Sequence, residues 1–135
     1  MFLLDTTVCI GVLKGHAGIA ARLSQLTPAE VRLCAVVKAE LCYGAWASEN
    51  PAKNLSTLDR FVTPYLSLPF DDACADSYGR LRAELRRQGM PIGANDLLIA
   101  ATALAHDLIL VTHNTREFSR VPHLRFEDWE AEGSG

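Results

Sequence analysis

Isolated acids stand where strands should hand over to helices, and carboxylates gathered at such places can hold a hard metal ion. Asp5 closes the apolar opening Met1-Phe2-Leu3-Leu4, and Glu40 follows the apolar run Leu33-Cys34-Ala35-Val36-Val37. Asp96 opens the stretch Leu97-Leu98-Ile99-Ala100-Ala101, and a fourth such place, after Leu108-Ile109-Leu110-Val111-Thr112, holds Asn114. Two like charges about 4 Å apart repel by roughly 4 kcal/mol at an effective dielectric of 20, so clustered carboxylates need a proton or a cation. With Asp and Glu as the strong ligands, Mg²⁺ or Mn²⁺ fits best, and ions so held suit phosphoryl chemistry. Each acid alone has a plainer role. Asp5 and Asp96 could cap helices, and Glu40 could be a solvated helix residue. Their coincident placement is what points to a site.

The elements that must position these residues read as an alternation of strands and helices. Strands are expected at 1–4, 32–36, 65–70 and 108–112, with a weak last one at 124–126. Helices are expected at 6–13, 17–26, 37–48, 53–62, 71–88, 94–106 and 114–118, punctuated by Lys14-Gly15, Thr27-Pro28, Asn50-Pro51 and Gly89. The proline in the 65–70 strand suits an edge position, and the wholly apolar 108–112 suits a covered parallel sheet. The fold class expected is α/β, a three-layer α/β/α sandwich with a mostly parallel four- to five-stranded sheet. The carboxyl ends of such strands share one edge, where these folds bind ligands.

The 135 residues are read as one domain over 1–130 with a flexible tail at 131–135. No apolar run approaches the roughly 18 residues of a membrane span, and no secretory signal is apparent, so the expected location is cytoplasmic. The net charge of −3 argues against a generic polyanion binder, so any nucleic-acid function must come from a local site. Cys9, Cys34, Cys42 and Cys74 form no C-x-x-C pair and read as reduced packing residues. The four histidines show no zinc-ligand spacing.

The segments Leu3-Leu4-Asp5-Thr6-Thr7, Ala39-Glu40-Leu41-Cys42-Tyr43-Gly44, Gly93-Ala94-Asn95-Asp96-Leu97-Leu98-Ile99-Ala100-Ala101 and Val111-Thr112-His113-Asn114-Thr115-Arg116-Glu117-Phe118 resemble the PIN-domain ribonucleases. Within that family the chain looks like the VapC-type toxins of bacterial toxin–antitoxin pairs, including its ending Val121-Pro122-His123-Leu124-Arg125-Phe126-Glu127-Asp128-Trp129. The resemblance implies a PIN-like sandwich and a metal-dependent endoribonuclease. Asp5, Glu40 and Asp96 would be its metal-binding acids, and Thr6 the hydroxyl orienting Asp5. Thr112 and Asn114 would fill the fourth corner, where family members often carry aspartate. Glu117, in the following helix, would contact the metal through water.

Water activated at Mg²⁺ would attack the phosphorus, leaving a 5′-phosphate and a 3′-hydroxyl. RNA is the implied substrate, tRNA among the usual ones. A cognate antitoxin protein would block the site, and homodimerisation is usual. Two rival readings stand beside this one. Asn114 suits a catalytically weakened PIN-like module that binds RNA or protein. A phosphohydrolase with Asp5 as nucleophile usually carries a second acid two residues on, where this chain has Thr7.

Arg80, Arg82, Arg86 and Arg87 cluster on the 71–88 helix, either as phosphate contacts or as a solvated face with Glu84. Lys14, Lys38, Arg116 and Arg120 lie nearer the expected site, although Lys38 could simply pair with an acid. Leu41, Tyr43, Ala45 and Trp46 exceed what one buried stripe requires. With Leu55, Leu58 and Phe61 they form either an apolar groove for an antitoxin helix or plain core.

Overall fold

The computed structural model describes residues 1–130, so the expected tail at 131–135 lies outside the described residues. The strands are β1 (Phe2–Leu4), β2 (Val31–Cys34), β3 (Leu66–Leu68), β4 (Ile109–Val111) and β5 (Phe126–Glu127). They pair in the order β3-β2-β1-β4-β5, every pairing parallel. Among the described residues these helices flank them in a three-layer α/β/α sandwich: α1 (Thr6–Leu13), α2 (Ala17–Ser24), α3 (Ala35–Trp46), α4 (Pro51–Val62), α5 (Asp72–Gln88), α6 (Ala94–Ala105) and α7 (Thr115–Phe118).

The apolar strands are covered, as a parallel sheet requires: Leu3, Leu4, Leu33, Leu110 and Val111 are all fully buried. α6 buries Leu97, Ile99, Ala100, Ala101, Thr102 and Ala103, which fits its nearly continuous apolar sequence. The small residues among them let it pack closely against its antiparallel partner α5. Asp71 caps α5 by accepting from the Cys74 N–H at 3.0 Å, and Arg86 and Arg87 lie in the last turn. Gly89, with φ of 66°, ends it in the left-handed conformation that favours glycine. β3 is an edge strand, as the proline after it suggested.

Several boundaries differ from expectation. β2 ends at Cys34 and α3 begins at Ala35, because the β-branched Val37 joins Leu41 and Ala45 on the buried stripe of a helix. The last strand falls at 126–127, and Pro28–Glu30 is a 3₁₀ turn where only a chain reversal was expected. Among the described residues no helix is long and apolar enough to cross a membrane.

Candidate functional site

The register of the central strands assembles the site. Leu4 pairs with Val111, so the next residues, Asp5 and Thr112, leave adjacent strands side by side. Asp5 donates its N–H to the Val111 carbonyl at 3.1 Å and caps α1 by accepting from the Val8 N–H at 2.9 Å. The Asp5 carboxylate thus has the plain capping role the sequence allowed, with both Val8 and Thr7 on Oδ1. Asp5 is only 2% exposed, and burial raises its pKa above the usual carboxylate value. Hydrogen bonds from Thr112, the Val8 N–H and Thr7 pull in the opposite direction.

Across from Asp5, the α6 N-terminus and the β4–α7 loop bring Asp96, Asn114 and Glu117 together. Asn114 Nδ2 donates to Asp96 Oδ2 at 3.3 Å and to Glu117 Oε2 at 2.8 Å. The Gly93 N–H donates to the other oxygen of Glu117, holding its carboxyl below the usual range. Glycine matters there: a Cβ on residue 93 would sit 3.4 Å from Glu117 Oε1 and 3.8 Å from Asp96 Oδ2. Asp96 is pushed up to about 6, chiefly by burial, then by the charge and hydrogen bond of Glu117, with Asp5 and Glu40 adding repulsion. Burial and Glu117 thus favour the protonated form of Asp96, while the Gly93 N–H favours the ionised form of Glu117.

Glu40 lies in the second turn of α3 rather than directly past β2, because the helix starts at Ala35. Its carboxylate is turned inward by Thr6, whose hydroxyl donates to Glu40 Oε1 at 2.6 Å. Thr6 thus orients Glu40 and not Asp5, a correction to the expected role. The hydroxyl on Asp5 Oδ1 is that of Thr7, at 3.0 Å. Sequence reasoning passed over Thr7 and over the Gly93 N–H. The tandem Thr6-Thr7 beside an acid was the available signal.

Asp5, Glu40 and Asp96 do not bring three ligand atoms all within 4.8 Å of one another. Among the described residues, two other groups have three ligand atoms all within 4.8 Å of one another: His113/Asp128/Glu130 and Asp71/Cys74/His106. The wider spacing of Asp5, Glu40 and Asp96 suits an ion that keeps several of its waters, as Mg²⁺ does. The raised Asp5 and Asp96 fit a cation as well, because a nearby positive charge would offset the cost of burying both carboxylates and the repulsion that Glu117, Asp5 and Glu40 exert on Asp96. His113 Nδ1 sits 3.1 Å from both Asp128 Oδ2 and Glu130 Oε2, and these carboxylates raise its pKa. That ion pair flanks Asp5, whose charge in turn acts on His113.

Of the basic residues, Arg116 and Arg120 line a cleft of about 440 Å³ with Gly93, Asn114 and Glu117. Lys14 lines a second, of about 510 Å³, with Glu40, Ile10, Leu13 and Leu58. Among the described residues Lys38 forms no ion pair. Arg80 and Arg87 are paired along α5 with Asp76 at 3.0 Å and Glu84 at 2.6 Å, and Arg82 lies over the Tyr78 ring. Two of that cluster thus have the plain role of a solvated helix face. Leu41 and Ala45 are core, whereas Tyr43 and Trp46 are 75% and 67% exposed, the large apolar excess noted on this helix.

The PIN domain family model matches residues 2–124. A tRNA(fMet)-specific endonuclease VapC of Shigella flexneri is 42% identical over 128 residues, 95% of this chain and 97% of that protein. The chain superposes on DNA-bound VapBC from Salmonella typhimurium with a TM-score of 0.91 at 38% identity, covering 95% and 97% of the two chains. VapBC2 from Rickettsia felis, bound to a fragment of its promoter, gives a TM-score of 0.88 at 37% identity over 95% and 98%.

Proposed function

From the premise that this chain belongs to the PIN-domain family and is a VapC-type ribonuclease, we propose that it is the toxin of a toxin–antitoxin pair, cleaving RNA with a divalent ion. One observation carries the site assignment: Asp5, at the end of β1, lies close enough to the Asp96–Asn114–Glu117 network for its charge to act on Asp96, which burial and Glu117 push up while the Gly93 N–H holds Glu117 down, a gathering of carboxyls that a cation would relieve. Asp5, Glu40 and Asp96 would hold Mg²⁺ or Mn²⁺, with Glu117 reaching it through water. Such an ion lowers the pKa of a water and offsets charge developing on the phosphodiester.

The chain's own residues set the stage for that chemistry. Thr7, Thr112 and the Val8 N–H lock Asp5 in one orientation. Thr6 does the same for Glu40. Asn114 spans Asp96 and Glu117, standing in for a charged fourth corner with a neutral amide. Arg116 and Arg120 lie where they can contact backbone phosphates without reading bases. The substrate class proposed is tRNA in the cytoplasm, with tRNA(fMet) the first to test, since the 42%-identical relative is named for it.

Incubating the protein with tRNA and Mg²⁺ should give a discrete cut. EDTA should stop it, and Asp5→Asn should lower the rate at least about a hundredfold, more than loss of an outer-shell partner does. Activity indifferent to both would remove the metal site. Absence of cleavage and of Mg²⁺ binding together would favour the binding-module reading.

The partner proposed is an antitoxin whose apolar helix lies along α3 beside the Ile10/Leu13/Leu41/Leu58 cleft. Exposed aromatic residues are the commonest interface anchors. Replacing Tyr43 and Trp46 together by Ala should weaken antitoxin binding by at least about 2 kcal/mol, roughly thirtyfold. Titration calorimetry checks this, and unchanged affinity would put the partner elsewhere. Homodimerisation is part of the same proposal, to be read from light scattering of the free toxin.

A further inference from the structure

The α5–α6 hairpin carries a second set of ligating side chains, of a different chemical kind from the nuclease acids. Asp71 caps α5, Cys74 stands in its first turn and is fully buried, and His106 caps the C-terminal end of α6. Cys74 Sγ lies 3.7 Å from His106 Nε2, and an Asp71 oxygen completes a group whose ligand atoms all lie within 4.8 Å of one another. A tetrahedral ion bound at about 2.3 Å by sulfur and about 2.0–2.1 Å by imidazole holds those two atoms about 3.6 Å apart. The sulfur–nitrogen pair already has that span.

Cys74 is held within α5, and Asp71 and His106 are the residues that cap α5 and α6. Asp71 Oδ1 is fixed by the Cys74 N–H at 3.0 Å, which orients the carboxyl and leaves Oδ2 for an ion. The His106 N–H is tied to the Thr102 carbonyl at 3.1 Å. Without an ion the thiol has hydrogen-bond partners in Asp71, Thr102 and, at 3.8 Å, the Pro69 carbonyl. The imidazole beside the same sulfur is the group that capping and thiol hydrogen bonding do not require.

We propose that Asp71, Cys74 and His106 form a Zn²⁺ site that clamps the start of α5 to the end of α6, with its fourth position open to water beside the exposed Asp71. Thiolate and imidazole select zinc over the magnesium that carboxylates favour, so the two sites sort their ions by ligand type. On binding, the Sγ–H bond breaks, its proton goes to solvent, and a Zn–S bond forms. No sequence motif announces the site because the residues join across a hairpin, thirty-two positions apart from Cys74 to His106. The clamp closes the end of the hairpin opposite Gly93 and Asp96, and it owes nothing to the nuclease reading.

Cobalt titration of the reduced full-length protein, in excess Mg²⁺, tests this directly. Co²⁺ should produce a thiolate-to-metal charge-transfer band in the near ultraviolet, bleached by stoichiometric Zn²⁺. The band should persist in Asp96→Asn and vanish in both Cys74→Ser and His106→Gln. Zn²⁺ should raise the melting temperature of the natural chain and leave that of His106→Gln unmoved. No band, or one that survives His106→Gln, would overturn the assignment, and His106→Gln decides the matter should Cys74→Ser fail to fold.

Discussion

Asp96→Asn is expected to abolish RNA cleavage and, in the metal-free protein at neutral pH, to raise the melting temperature. The half-buried Asp96 carboxyl is pushed from an ordinary 3.8 to about 6 by burial and by Glu117, Asp5 and Glu40. An acid whose folded-state value is raised binds its proton more tightly when folded. Its stabilising contribution is therefore complete below the unfolded value and is lost as pH rises through about 6. At about 1.4 kcal/mol per pKa unit, and discounted because the side chain is only half-buried, the effect is on the order of 1–2 kcal/mol. Asparagine keeps the shape and removes the charge, so the variant should show a flatter stability profile between pH 4 and 7.

Thermal melts in EDTA across that range provide the check. A wild-type profile that rises with pH through this window would refute the assignment of repulsion to this corner. The loss of cleavage at least matches the hundredfold expected for Asp5→Asn, since both acids would hold the same ion. A gain in stability paired with loss of activity is the mark of a site that keeps like charges together for a purpose.

Trp129→Ala should be among the most destabilising single changes in the chain, costing about 3–5 kcal/mol. Trp129 is fully buried and packs edge-on against Phe2 of β1 at 5.5 Å. Arg22 of α2 lies over its ring at 5.2 Å, and its indole N–H donates to Glu127 of β5 at 3.1 Å. One side chain thus ties the last strand to the first strand and to a helix. For a chain of this length the loss corresponds to a fall in melting temperature of more than about 10 °C. Trp129→Phe keeps the apolar body and loses only the N–H, so it should recover most of the deficit. Equal losses in the two variants would mean that the Glu127 hydrogen bond, rather than packing, is what matters.

Patterning carried most of the architecture. The apolar run Leu108-Ile109-Leu110-Val111 had to be a covered strand, and β4 lies within it at Ile109–Val111. The boundary of α3 was less legible. Val36 and Val37 favour strands locally, and only the burial of Val37 with Leu41 and Ala45 makes them helical. The acids were legible as types at intervals, but not their orientation. Two adjacent threonines with equal hydrogen-bonding capacity point to different acids, Thr6 to Glu40 and Thr7 to Asp5, because one helical step rotates the side chain by about 100°. The pairing of Asn114 with both Asp96 and Glu117 depends on where the α6 N-terminus meets the loop after β4, which no local spacing encodes.

The strand order has a consequence for when the protein becomes active as it is made. β1, synthesised first, lies in the centre of the sheet between β2 and β4. Its edge toward β4 stays unpaired until residues 109–111 exist, and the acid network is incomplete until Glu117 follows. On the proposed reading, a growing chain therefore cannot cleave RNA until Glu117 has been made and folded into place. Chains truncated before residue 109 should be inert toward tRNA, and a truncated chain that cut would break the link between strand order and timing.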